Sequence, residues 1–138
     1  MIERTLTILK PDSVAAGRSG AILRHLEEAG FRLLGLKRLR LSPDQARAFY
    51  AVHRERPFYD ALVRFMTEGP VVVAVLSRED AVAQLRRTMG ATDSRKAEPG
   101  TVRQLYGKDI ERNAIHGSDS PQNAAQEIAF FFAESELL

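Results

Sequence analysis

At 138 residues, 44% of them hydrophobic and 28% charged, the chain is long enough to bury a core and too apolar to stay disordered. The absence of cysteine excludes disulfides, thiolate zinc sites and a cysteine nucleophile, and no apolar run approaches the roughly 20 residues of a bilayer span. A formal net charge of +2 is too small to make nucleic acid the principal partner, although it permits local basic patches.

Met1-Ile2-Glu3-Arg4 enters strand-like sequence directly with no signal peptide, which together with the missing cysteine fits a cytoplasmic protein. Ile2 to Lys10 alternates as a strand, with Ile2, Arg4, Leu6 and Ile8 on one face and Thr5, Thr7 and Leu9 on the other; Pro11 ends it. Ser19-Gly20 opens a helix to Ala29 whose buried stripe is Ile22, Leu23, Leu26 and Ala29, with Gly30 as its stop. Phe31 to Leu41 reads as a second strand, Leu33, Leu39 and Leu41 sharing a face. Ser42-Pro43-Asp44-Gln45 is a capping box that starts a helix to about Val52.

After Pro57 a helix carries Phe58, Leu62, Phe65 and Met66 at helical spacing until Gly69-Pro70 breaks it. Val71 to Leu76 is a continuous apolar run suited to the centre of a sheet. Asp80 to Met89 is a helix with Ala81, Val82, Leu85 and Met89 inward. From Ala91 to Arg112 no period holds, and a loop of that length is usually functional. Ala114-Ile115-His116 is a last short strand, and Pro121 to Ala133 a last helix that packs Ala124, Ala125, Ile128 and Phe131-Phe132. This order is the β-α-β-β-α-β pattern of a ferredoxin-like α+β fold, read as one domain over residues 1–138: a four-stranded antiparallel sheet with helices on one face. That fold serves many activities and decides none.

The chemistry concentrates in Asn113-Ala114-Ile115-His116-Gly117-Ser118-Asp119-Ser120. His116 falls at a strand end, and Ser120 before Pro121 is a hydroxyl cap ahead of a proline at the first helical position. Such a helix start welcomes anions beside an imidazole. Taken alone, a histidine beside glycine and serine is more often a turn residue. His25 and His53, on helices, read as solvated.

Together with Lys10-Pro11-Asp12, Arg56-Pro57-Phe58, Gly69-Pro70-Val71-Val72, Gly90-Ala91-Thr92 and Pro99-Gly100-Thr101-Val102-Arg103, the stretch resembles the nucleoside diphosphate kinases over essentially the whole chain. The resemblance implies a ping-pong reaction. A nucleoside triphosphate, typically ATP, phosphorylates His116 at its pros nitrogen, and a nucleoside diphosphate then collects the phosphoryl group with little base specificity. It implies that Glu127, on the following helix, holds the second ring nitrogen with support from Ser118, and that Tyr50 and Lys10 lie close to the histidine. Lys10 and Asn113 would contact the ribose 3′-hydroxyl and phosphate region, while Arg86, Thr92 and Arg103 hold the phosphates. Arg86 and Arg87 are adjacent, and the interval to Gly90-Ala91-Thr92 selects Arg86.

By the same resemblance Phe58 and Leu62 hold the base, with Ile110 on its other side. Mg2+ rides on the nucleotide phosphates, with Asp119 reaching it through water, and the chain forms dimers assembled into tetramers or hexamers. The sequence departs from the family pattern at Ser13 (usually Gly), Ala16 (often basic), Asp93-Ser94 (often Asn-Pro) and Leu105-Tyr106 (often Asp-Phe). Two rivals weigh less. A non-enzymatic nucleotide-binding regulator has no need of His116 and Glu127 together, and a nucleic-acid-binding sheet would want aromatics on its open face.

Overall fold

Alternation places Leu6 and Ile8 on one face of β1 (Ile2–Leu9) and Thr5, Thr7 and Leu9 on the other, as the sequence pattern predicts, and all five are fully buried. In this computed structural model, which describes all of residues 1–138, β1 pairs antiparallel with β3 (Val71–Glu79) on one side and with the short β4 (Ile115–Gly117) on the other. The strand β2 (Arg32–Leu39) completes the four-stranded sheet in the order β2-β3-β1-β4. No helix is long and apolar enough to cross a membrane.

The helices do not keep to one face. Val72, Ala74 and Leu76 of β3 pack with α2 (Ser19–Glu28) and α5 (Ala81–Met89). Val71, Val73 and Val75 pack on the opposite side with α3 (Pro43–Phe49), α4 (Tyr59–Met66) and α7 (Pro121–Phe131). An unbroken apolar strand has two apolar faces, and each must be covered.

Further differences are local. Leu34 is a bulge in β2, so Leu33 opposes Leu76 while Gly35 opposes Val75. The extra residue shifts parity: Leu33 joins one core while Leu34 and Leu39 join the other, which strict alternation cannot foresee. Pro11 both ends β1 and starts a five-residue helix, α1 (Pro11–Ala15). The capping box at Ser42 is present with both hydrogen bonds, but its helix stops at Phe49 and only a 3₁₀ turn at Ala51–His53 follows. Ala125 is exposed, one position off the buried stripe of Ala124 and Ile128.

The long loop contains a 3₁₀ turn at Ser94–Lys96 and α6 (Val102–Tyr106), capped by the Thr101 hydroxyl. Both are too short to show a period. The departures Asp93 and Ser94 rebuild this loop: the Asp93 carboxylate accepts from the Arg95 backbone and guanidinium, and Ser94 packs against Gly107.

Candidate active site

Antiparallel pairing of β4 with β1 sets Ile8 opposite His116, so both side chains leave the sheet on the face covered by α3, α4 and α7. Gly117 lets β4 lie against α5, because a Cβ there would sit 2.8 Å from Met89 Sδ and 2.9 Å from Leu85 Cδ2. On the covered face His116 meets α7: its Nε2 lies 2.8 Å from Glu127 Oε1, and the Ser118 hydroxyl donates to the same oxygen at 2.8 Å. A carboxylate only accepts, so Nε2 carries the proton and Nδ1 is left with its lone pair. Phe49 and Tyr50 flank the imidazole edge-on, with ring centroids 5.6 and 6.2 Å away. The Tyr50 hydroxyl is buried without a partner, and burial, then the Glu127 charge, hold it protonated.

Lys10 leaves the end of β1 and donates to Asn113 Oδ1 at 2.7 Å, while Asn113 Nδ2 donates to the Thr92 and Ile110 carbonyls. Burial, then the Arg103 charge, lowers the Lys10 ammonium from the ordinary 10.5 to about 8. Arg103 is itself buried, donating to the Gly90 carbonyl at 3.1 Å and the Ile115 carbonyl at 2.8 Å. Burial and the charge of Arg86 bring it down to about 10. The Arg86 charge acts on Arg103, whereas Arg87 donates to Gln84 Oε1 at 3.1 Å. The Thr92 side chain is exposed, as is the carboxylate of Asp119, which accepts from Asn123 Nδ2.

Lys10, Arg86 and Arg103 form no ion pair with a carboxylate, although the charges of Asp12 and Glu111 act to raise Lys10, and such a cluster attracts an anion. Because the Lys10 ammonium loses its proton near pH 8, affinity for a diphosphate should fall as pH rises through about 8. The sign for stability is opposite. The unfolded chain keeps that proton up to 10.5, so between about 8 and 10.5 rising pH favours the folded free protein. Titration calorimetry with ADP at stepped pH checks the first statement; an affinity flat across that window would refute it.

Phe58 is 49% exposed at the start of α4; Leu62 is half-buried, and Ile110 is 61% exposed. His53 is half-buried rather than solvated, its ring 5.4 Å from that of Phe58, and His25 is also half-buried.

Sequence reasoning missed the support beneath the histidine. Ala114 has φ of +75°, and Ile115 N bonds back to Asn113 O at 2.9 Å, a γ-turn. That conformation is costly for a residue with a Cβ. It is clamped by Asp12 Oδ2, which accepts from Ala114 N, and by Lys10 N and the Ser13 hydroxyl, which both donate to Ala114 O at 2.9 Å. Ser13, a departure from the family pattern, therefore supports the turn that aims β4. The only advance signal is Asp12 itself, two residues after Lys10.

A family model described as nucleoside diphosphate kinase matches residues 3–137. The nucleoside diphosphate kinase of Acidiphilium cryptum (strain JF-5) is 58% identical over 136 residues, which cover 99% of this chain and 97% of that protein. That of Persephonella marina (strain DSM 14350 / EX-H1) is 49% identical over 99% of this chain and 98% of its own. Among solved structures, the Aquifex aeolicus nucleoside diphosphate kinase superposes with a TM-score of 0.95 at 48% identity, each chain covered completely. A halophilic nucleoside diphosphate kinase from Halobacterium salinarum in complex with CDP gives 0.95 at 44% identity, over all of this chain and 92% of that one.

Proposed function

The chain belongs to the nucleoside diphosphate kinase family, and from that premise we propose that His116 carries the phosphoryl group between the two half-reactions. The reaction moves the γ-phosphoryl group of a nucleoside triphosphate to a nucleoside diphosphate. In the first half, Nδ1 of His116 forms a bond to the γ-phosphorus as the bond from phosphorus to the β–γ bridging oxygen breaks, and the diphosphate leaves with that oxygen. In the second half, the terminal oxygen of another diphosphate attacks the same phosphorus and Nδ1 leaves. The observation that carries this reading is the Glu127 contact at 2.8 Å, which leaves Nδ1 as the nucleophilic nitrogen.

Glu127 compensates the positive charge that the imidazole gains on attack, and Ser118 keeps the carboxylate aligned. Glu127→Gln, which keeps an acceptor but loses the charge, should slow phosphoenzyme formation roughly ten- to a hundred-fold in a single-turnover assay. An unchanged rate would sink that role. Lys10, Arg86, Arg103 and the Thr92 hydroxyl hold the transferring phosphates, where positioning and charge compensation are most of the catalysis. Asn113, with Lys10, contacts the ribose region. The buried Tyr50 hydroxyl, lacking a partner, serves as a donor beside His116.

Phe58 and Leu62 face the base from one side and Ile110 from the other. Apolar contact without base-edge hydrogen bonds leaves the base unread, and the relative that binds CDP supports a nucleotide here. No three acidic or imidazole side chains gather to cage a metal, so magnesium fits as an ion carried on the phosphates, with Asp119 holding one of its waters. When bound, it neutralises charge on the phosphates. Residues 1–138 act as one domain of a cytoplasmic enzyme that assembles as dimers into tetramers or hexamers. The support for assembly is β2, an edge strand with Leu36 exposed beside Arg38.

The test is to incubate the protein with magnesium and γ-labelled ATP, then chase with GDP. Acid-labile, base-stable label that passes to GDP is the expected result. A protein that turns over nucleotides without ever holding label would overturn the covalent route.

A further inference from the structure

We propose that Glu68 and Arg112 form a strut that sets the width of the base slot, making them positioning residues for the nucleoside and not for its phosphates. The proposal rests on the reading above that Phe58 and Leu62 form one wall of the slot and Ile110 the other.

The two walls come from distant parts of the chain. Phe58 and Leu62 belong to the first half of α4, and Glu68 follows its last residue, Met66, by two positions. Ile110 is the tip of a tight turn. Within it, Lys108 N and Asp109 N both donate to Arg112 O at 2.7 and 3.4 Å, and Asp109 Oδ1 accepts from Glu111 N and Arg112 N at 3.0 and 2.8 Å. So braced, the turn moves as one body, and where Arg112 goes Ile110 follows.

Arg112 crosses to the other wall with a fork: Nη1 donates to Glu68 Oε1 at 2.8 Å and Nη2 to Glu68 Oε2 at 3.2 Å. Its guanidinium also lies 4.9 Å over the ring of Phe65, a buried residue of α4. The turn is therefore tied to α4 twice through one side chain. Its other tethers are Ser94 N to Asp109 O at 3.2 Å and Asn113 Nδ2 to Ile110 O, and the second leads to Lys10 and the phosphate side. The Arg112 contacts are the ones that reach the α4 side.

An isolated exposed ion pair holds little, but a forked pair resting on a fixed aromatic ring resists both rotation and sliding. Phe58 and Ile110 are left about half exposed or more, as the walls of an open slot would be.

The experiment measures Kd for ADP and, separately, for magnesium pyrophosphate, which fills the phosphate site and leaves the slot empty. Glu68→Ala and Arg112→Ala should weaken ADP about three- to five-fold and leave pyrophosphate unchanged, with kcat at saturation within about two-fold of wild type. Arg112→Lys, which keeps the charge without the fork, should fall between. Equal weakening of both ligands would overturn the proposal, because the pair would then act through the fold or the phosphate site. Phe58→Ala and Ile110→Ala separate the two levels of the argument. If they weaken ADP while the Glu68 and Arg112 variants do not, the strut is wrong and the slot stands. If none of the four changes ADP affinity, the slot reading itself fails, and the strut with it.

Discussion

Replacing His116 with alanine is expected to remove the phosphoenzyme entirely and to lower turnover on the order of 10⁴-fold or more. No cysteine competes as a nucleophile, Lys10 is cationic below about pH 8, Arg103 is cationic, and the Tyr50 phenol is held protonated. Stability should hardly change. The imidazole makes one side-chain hydrogen bond, to Glu127, and that carboxylate keeps its bond from Ser118 when the ring is gone. A loss of about 1 kcal/mol in urea unfolding is the expected size. Lost turnover with a retained midpoint therefore separates chemistry from folding. A variant that still passes label from ATP to GDP at a tenth of the wild-type rate would assign the phosphoryl carrier elsewhere.

Arg103→Ala should damage both stability and catalysis. The guanidinium is buried and its two terminal nitrogens support the Gly90 and Ile115 carbonyls, one at the end of α5 and the other beside His116. Removing it leaves both carbonyls short of a charged donor, a loss of about 3 kcal/mol. The same change deletes one of the cations around the phosphates, and kcat/KM should fall on the order of 10³-fold. Arg103→Lys restores a charge but not the fork, so it should recover part of the activity and little of the stability. Paired urea titrations and steady-state kinetics on the two variants test this. Equal stability of wild type and Arg103→Ala would show that the carbonyls find other donors.

The clustered cations also favour the binding of an anion. Burial and then the Arg103 charge lower the proton affinity of Lys10, and burial and then the Arg86 charge lower that of Arg103. A bound polyphosphate relieves that repulsion, so nucleotide should raise the unfolding temperature as its concentration exceeds Kd.

Much of this protein is legible in its amino-acid order because the signals are local. The alternation of Leu6 and Ile8 against Thr7 and Leu9, the capping box at Ser42, and Ser120 before Pro121 each act within a few residues, and each element forms where its signal stands. The motif order from Lys10 to His116 is likewise a property of the chain read end to end, and it leads to the family. The tertiary structure decided whatever depends on residues far apart in sequence. Register of β4 on β1 turns His116 toward Glu127 and Tyr50; the bulge at Leu34 divides β2 between two cores, and helices cover both faces of β3. Asp12 and Ser13 clamp Ala114 across about a hundred residues, and Arg112 reaches Glu68 across 44. No spacing encodes such meetings, because a hydrogen bond between distant segments is set by how strands pair and helices pack, and that geometry exists only once the chain has folded.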